Sequence, residues 1–129
     1  MTKVLLDSSA ITALIKKEAG ADVVESVLPN AVMSAVNVLE AVRVLQRFNF
    51  TYAEATENLS FLISEVIPFD REQAYKAGSF EFAARRHGLS LGDCICLSLA
   101  KEMNIKVLTS DTAWTEAAPE LGIDVKLIR

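Results

Sequence analysis

The chain has 129 residues, 51% of them hydrophobic and 23% charged, which excludes disorder and allows a single domain over residues 1–129 with a real core. A formal net charge of −4, with a pI near 5.0, argues against broad nonspecific nucleic-acid binding, which needs a basic footprint. No apolar stretch approaches the roughly 20 residues of a membrane span, and Asp7 interrupts the leader-like start MTKVLLDSSAITAL, so the expected setting is cytoplasmic.

Lys3 to Leu6 is predicted as a short buried strand, stopped by Asp7-Ser8-Ser9. Those residues favour a helix start, and Ile11, Leu14 and Ile15 then recur at helical spacing. Gly20 separates this helix from a second one ending near Leu28, where Pro29-Asn30 turns the chain. Ala31 to Ser34 is a second strand. Ser34 opens a long helix whose apolar set includes Val38, Leu39, Val42 and Leu45, and Asn49 breaks it. Thr51 can cap the helix TYAEATENLSFLI.

Glu65 to Ile67 is a third strand, closed by Pro68. Asp70 can cap one helix running from Arg71 to His87, ended by Gly88. Ser90 opens a helix to about Met103, Lys106 to Leu108 is a fourth strand, and a short helix covers Thr112 to Ala117. Val125 to Ile128 is the final strand. Strands separated by helices throughout predict βαβ crossovers and a parallel sheet covered on both faces, an α/β fold of three layers, α/β/α.

Four acids stand where a solvated surface charge is not the easy explanation. Asp7 ends the run Val4-Leu5-Leu6, and Asp111 follows Val107-Leu108-Thr109-Ser110. Glu40 and Asp93 lie in the apolar helical stretches VNVLEAVRVL and LGDCICLSLA. Each also has a structural explanation. Asp7 and Asp111 precede helices, where Asp is a preferred cap, and Ser90 with Asp93 fits a capping box. Glu40 lies beyond the first turn of its helix and could pair with Arg43. Jointly, acids that follow different parallel strands, or open helices over the same sheet, can meet in one crevice at the carboxyl edge. Two such charges about 5 Å apart repel by roughly 3 kcal/mol at an effective dielectric near 20. Protons or a hard divalent cation must neutralise them, and ligation by oxygen alone suits Mg²⁺ or Mn²⁺. Such ions serve metal-assisted phosphoryl chemistry.

The remaining chemistry-bearing residues are quieter. Cys94 and Cys96, two apart on a helix, point to different faces and are read as buried, reduced thiols. His87, beside Arg85, Arg86 and Gly88, is expected to be solvated. If a nucleic acid such as RNA binds, Arg43 with Arg47 and Arg85 with Arg86 are the candidate phosphate contacts, each with scattered helix charge as the alternative.

The segments VLLDSSAITALIKKE, MSAVNVLEAVRVL, HGLSLGDCICLSLA and VLTSDTAW, in this order and each bearing an acid, resemble a PIN domain. More narrowly, they resemble the VapC-type toxin of a toxin–antitoxin pair. The resemblance implies a parallel sheet of strand order 3-2-1-4-5 and Mg²⁺- or Mn²⁺-dependent RNA hydrolysis leaving a 5′-phosphate and a 3′-hydroxyl. It makes Asp7, Glu40, Asp93 and Asp111 the catalytic, metal-binding acids, with Asp7 and Asp93 in direct contact with the principal ion. Glu40 and Asp111 would act through water or a second ion. Ser9, Asn37 and Thr109 or Ser110 would orient the carboxylates. It also implies an antitoxin partner, whose tail lies in a groove of the early helices, and a homodimer. Ile11, Leu14, Ile15, Val23 and Val27 could line that groove, with Phe48, Phe50, Tyr52 and Phe61 nearby, although core packing also explains them.

Alternatives are a PIN nuclease of RNA processing that is not a toxin, and a catalytically silent interaction module of the same fold. An aspartyl-nucleophile phosphotransferase would want a second acid two residues after Asp7, where Ser9 stands. A receiver-like module would want its phosphoacceptor after a central strand, where Ile67-Pro68-Phe69-Asp70 offers only a cap.

Overall fold

The structure is a computed structural model and describes residues 2–129. In chain order its elements are β1 (Val4–Leu6), α1 (Ser8–Ile15), α2 (Ala21–Val27), a 3₁₀ turn (Leu28–Asn30), β2 (Ala31–Ser34), α3 (Ala35–Arg47), α4 (Tyr52–Leu62) and β3 (Glu65–Ile67). There follow α5 (Arg71–Gly78), α6 (Glu81–His87), α7 (Leu91–Met103), β4 (Lys106–Thr109), α8 (Ala113–Leu121) and β5 (Val125–Leu127). The five strands form one sheet of order β3-β2-β1-β4-β5, parallel throughout. This is the α/β fold expected from the sequence and the strand order that the PIN-domain resemblance implies.

Strand alternation divides the core in two. Leu5, Val32 and Val107 face α5, α6, α7 and α8, meeting Ala77, Phe80, Leu97 and Trp114. Leu6, Met33 and Leu108 face α1 to α4, meeting Ile11, Val24, Leu45 and Leu59. Central strands buried on both sides need apolar residues at successive positions, which is why VLL, AVM and VLT show no polar alternation. The strand order reverses at the centre, where β1 pairs with β2 on one side and β4 on the other. A crevice at the carboxyl ends of such strands is where ligands bind in open α/β sheets. Among the described residues, no helix is long and apolar enough to cross a membrane.

Capping residues set the helix starts as expected. Thr51 and Glu54 form a capping box at α4, Asp70 caps α5, and Ser34 accepts from Val36 N–H at the head of α3. Two expectations are corrected. The single helix from Arg71 to His87 is broken after Gly78: Ser79 Oγ donates to the Lys76 carbonyl at 2.6 Å, and Phe80 N–H bonds back to Ala77 in a tight turn. The break turns Phe80 into the core, where it is 7% exposed. The short helix at Thr112 to Ala117 instead runs on to Leu121, since Ala117 and Leu121 are also buried against the sheet.

Candidate metal centre

Asp7 is the first residue past β1, and its side chain is only 5% exposed. Thr109 Oγ1, at the end of β4, donates to Asp7 Oδ2 at 2.6 Å. Ser9 Oγ donates to Oδ1 at 2.7 Å, and Ala10 N–H donates to the same oxygen at 2.9 Å. This last bond is the N-cap of α1, so cap and candidate site are one arrangement. Burial nevertheless outweighs the donors. It pushes the Asp7 carboxyl up from 3.8 to about 6, with the nearby charge of Asp93 adding to the rise.

Asp93 stands in the first turn of α7 within a reciprocal capping box. Ser90 N–H donates to Asp93 Oδ2 at 2.9 Å, and Asp93 N–H donates to Ser90 Oγ at 3.1 Å. Partial burial raises the Asp93 carboxyl first, Asp111 raises it further, and the backbone and hydroxyl of Ser90 oppose both. The indole of Trp114 also favours the Asp93 carboxylate, although its buried Nε1 reaches no acceptor at normal hydrogen-bond geometry.

Asp111 lies two residues beyond β4 and is exposed. Its N–H donates to Thr109 Oγ1 at 3.1 Å, and its Oδ1 accepts from Ala113 N–H at 2.9 Å. Ser110 contributes its backbone N–H, which donates to Ser9 Oγ at 3.0 Å. Thr109, Ser9 and Ser110 thus tie the ends of β1 and β4 together around Asp7.

Glu40 arrives from α3. Its Oε1 accepts from Asn37 Nδ2 at 2.7 Å, and Asn37 also donates to the Gly92 carbonyl at 3.3 Å. The Glu40 carboxylate lies over Gly92 so closely that a Cβ there would stand 2.2 Å from Oε2. Since Gly92 adjoins Asp93, this contact brings the acid of α3 to the acid of α7. Among the described residues Arg43 makes no ion pair, so the pairing of Glu40 with Arg43 is not the one observed.

The acids therefore share one end of the sheet. Below them, the fully buried thiol of Cys96 is raised well above its ordinary value by burial and then by Asp7, Asp93 and Glu40. Among the described residues, no three carboxylate, imidazole or thiol groups stand together closely enough to grip one ion as placed. A cage of that kind suits zinc or calcium. Mg²⁺ keeps several waters and takes one or two carboxylates directly, so the oxygen-only donor set fits it in chemistry. Asp7 and Asp93 are the pair that would hold such an ion.

The candidate phosphate contacts are placed differently from one another. Arg43 and Arg47 are exposed on α3 beyond Glu40. Arg85 pairs with Glu81 at 3.1 Å, and Arg86 pairs with Glu120 through two of its nitrogens. His87, expected to be solvated, is instead half-buried, with Nε2 3.4 Å from Glu120. Packing of α6 against α8 brings the two together. Gly92, Trp114 and Cys96 were not singled out for the site from sequence. Only Gly92 left a signal, a glycine inside an apolar helical stretch directly before an acid.

An open parallel sheet with a buried acid, Asp7, at its topological switch point puts the candidate site where α/β folds of this class bind ligands. The chain matches the PIN domain model over residues 4–119 and belongs to that family. No curated protein matches. Similar solved structures include the DNA-bound VapBC from Salmonella typhimurium, with TM-score 0.75, 17% identity and coverage of 100% of both chains. FitAcB from Neisseria gonorrhoeae gives a TM-score of 0.72 at 21% identity, covering 95% of each chain. VapBC-5 from Mycobacterium tuberculosis, of the VapBC family of toxin–antitoxin systems, gives 0.61 at 20% identity, covering 100% of this chain and 99% of that one. At these identities the likeness is one of fold.

Proposed function

We propose that this protein is a Mg²⁺- or Mn²⁺-dependent endoribonuclease and the toxin of a toxin–antitoxin pair. The observation that carries the reading is Asp7, a carboxyl 5% exposed at the switch point, raised to about 6 by burial with the charge of Asp93 adding to it. The cap of α1 alone would be served by Ser, Thr or Asn, whereas an unneutralised buried carboxylate costs stability, so an acid here favours a cation as its partner. Membership of the PIN family and likeness in fold to VapBC and FitAcB proteins support the same reading.

Asp7 and Asp93 would hold the ion directly, with Glu40 and Asp111 reaching it through water. When bound, the ion supplies charge stabilisation at the phosphate and a more acidic water for in-line attack on the phosphodiester. The chain's own groups prepare that site. Thr109 and Ser9 donate to the two oxygens of Asp7, fixing its plane and favouring the charged form a cation needs. Ser90 does the same for Asp93 from the head of α7. Arg43 and Arg47, free of ion pairs among the described residues, would take RNA phosphates.

The proposed protein partners are an antitoxin polypeptide and a second copy of the chain. The exposed Phe61, Tyr52 and Phe48, the first of them 88% exposed, offer apolar surface for such contacts.

Asp7→Asn tests the reading. Purified wild type should cut single-stranded RNA in Mn²⁺, and the variant should be slower by about 10²-fold or more, the scale of a lost catalytic group. Expression of wild type should arrest growth, and Asp93→Ala should not. Equal cleavage by wild type and Asp7→Asn would end the catalytic assignment.

A further inference from the structure

We propose that Asn37 and Gly92 form a socket that fixes the reach of the Glu40 carboxylate, and that both are positioning residues for the divalent cation. The inference rests on the ribonuclease reading above and assigns the part played by two residues that carry no charge.

Asn37 is 1% exposed, a burial at which a leucine or valine would serve packing better. Its amide nitrogen makes two bonds, to Glu40 Oε1 at 2.7 Å and to the Gly92 carbonyl at 3.3 Å. Its buried Oδ1 accepts nothing. Turning the amide over would set that oxygen against a carboxylate and a carbonyl, both acceptors, so Glu40 and Gly92 dictate its orientation. A buried acceptor without a partner is costly and calls for an explanation. Holding Glu40 supplies one.

Gly92 forms the floor of the socket. An added Cβ would meet Oε2, Cδ and Oε1 of Glu40 at 2.2, 2.6 and 2.8 Å, and these are its nearest neighbours. No backbone or packed core atom comes as close, so only the end of a flexible side chain has to yield. Gly92→Ala therefore leaves the fold intact and expels the Glu40 carboxylate from its place over Gly92. In a helix the same change favours the backbone, since alanine is the better helix former.

The experiment measures Mn²⁺ affinity, from the loss of the free-ion paramagnetic resonance signal, alongside the melting temperature. Wild type, Gly92→Ala, Asn37→Ala, Glu40→Gln and Gly92→Ala/Glu40→Gln are compared. Gly92→Ala should melt at or above the wild-type temperature and bind Mn²⁺ roughly tenfold or more weakly, the usual effect of disturbing groups that orient a ligand. Asn37→Ala should weaken Mn²⁺ binding in the same way through loss of the amide donor. In the Glu40→Gln background, Gly92→Ala should cause no further loss, because both act through one carboxylate. A Gly92→Ala protein that binds Mn²⁺ like wild type overturns the socket. So does a loss of affinity that is equal with and without Glu40, or one that comes with a lower melting temperature. Wild type that binds Mn²⁺ and cuts RNA beside an indistinguishable Gly92→Ala sinks this inference alone. Wild type that does neither sinks the ribonuclease reading and the socket with it.

Discussion

Asp7 concentrates the tension of the site. Its carboxyl titrates near 6 in the fold and near 3.8 when exposed, so the folded state holds more protons than the unfolded state between those values. Stability must then fall as pH rises from about 4 to about 6, by roughly 3 kcal/mol for a shift of this size. Without divalent cation, denaturant unfolding should show that decline, and Asp7→Asn should remove most of it while raising stability at pH 7. A flat profile for the wild type over this range would contradict the burial of an ionisable Asp7. A cation reverses the sign locally, because it binds the deprotonated form and competes with the proton. Mn²⁺ affinity should accordingly weaken as pH falls below about 6.

At the scale of elements, most boundaries were legible because α1, α3, α4, α5 and α7 each start on a capping side chain. Thr51, Asp70 and Ser90 cap α4, α5 and α7 from sequence positions that name themselves. The break between α5 and α6 was not legible. No proline marks it, and it exists because Phe80 gains burial in the core by leaving the helix, a tertiary preference that overrides local propensity. The half-buried His87 was missed for the same kind of reason, since Glu120 on α8 is 33 residues away in the chain. Among the four acids, capping and site were rival explanations in the sequence; Asp7 and Asp93 both cap helices, and the charge of Asp93 also raises Asp7. The socket around Glu40 was not legible in the sequence, because a glycine's value there lies in the side chain packed above it.

Gly20 shows how different such a contact is when backbone lies opposite. It has φ +94, and a Cβ would stand 2.6 Å from the Ile128 backbone oxygen. Gly20→Ala should therefore lose stability by about 1–3 kcal/mol, as expected for a strained left-handed position, with denaturant unfolding as the check. A neutral outcome would mean that the loop between α1 and α2 is not fixed against the end of β5.

For the whole molecule, a net charge of −4 makes long-range attraction of RNA weak, so RNA binding by the proposed nuclease would depend on a few local contacts and the proposed ion. Lys3, Lys16, Lys76, Arg85, Arg86 and Arg129 are engaged in ion pairs. With Arg43 and Arg47 as the phosphate contacts, log K against log salt should have a shallow slope of about −1.4. Replacing either arginine by alanine should reduce that slope by about 0.7, while Arg85→Ala should leave it unchanged. Fluorescence anisotropy with a labelled RNA and the Asp93→Asn protein measures this without cleavage. A steep slope would point to a broader basic surface than these residues provide.

The claim on which all of this depends is that the acids of β1, α3, α7 and the β4 end serve one hard cation. Anomalous diffraction from a crystal soaked in Mn²⁺ tests it most directly. A manganese peak is expected between Asp7 and Asp93, with a carboxylate oxygen of each at about 2.0–2.2 Å, near the distances of octahedral Mg²⁺ sites, and with Glu40 and Asp111 facing its waters. Manganese bound elsewhere on the protein, or no peak at saturating concentration, would contradict it.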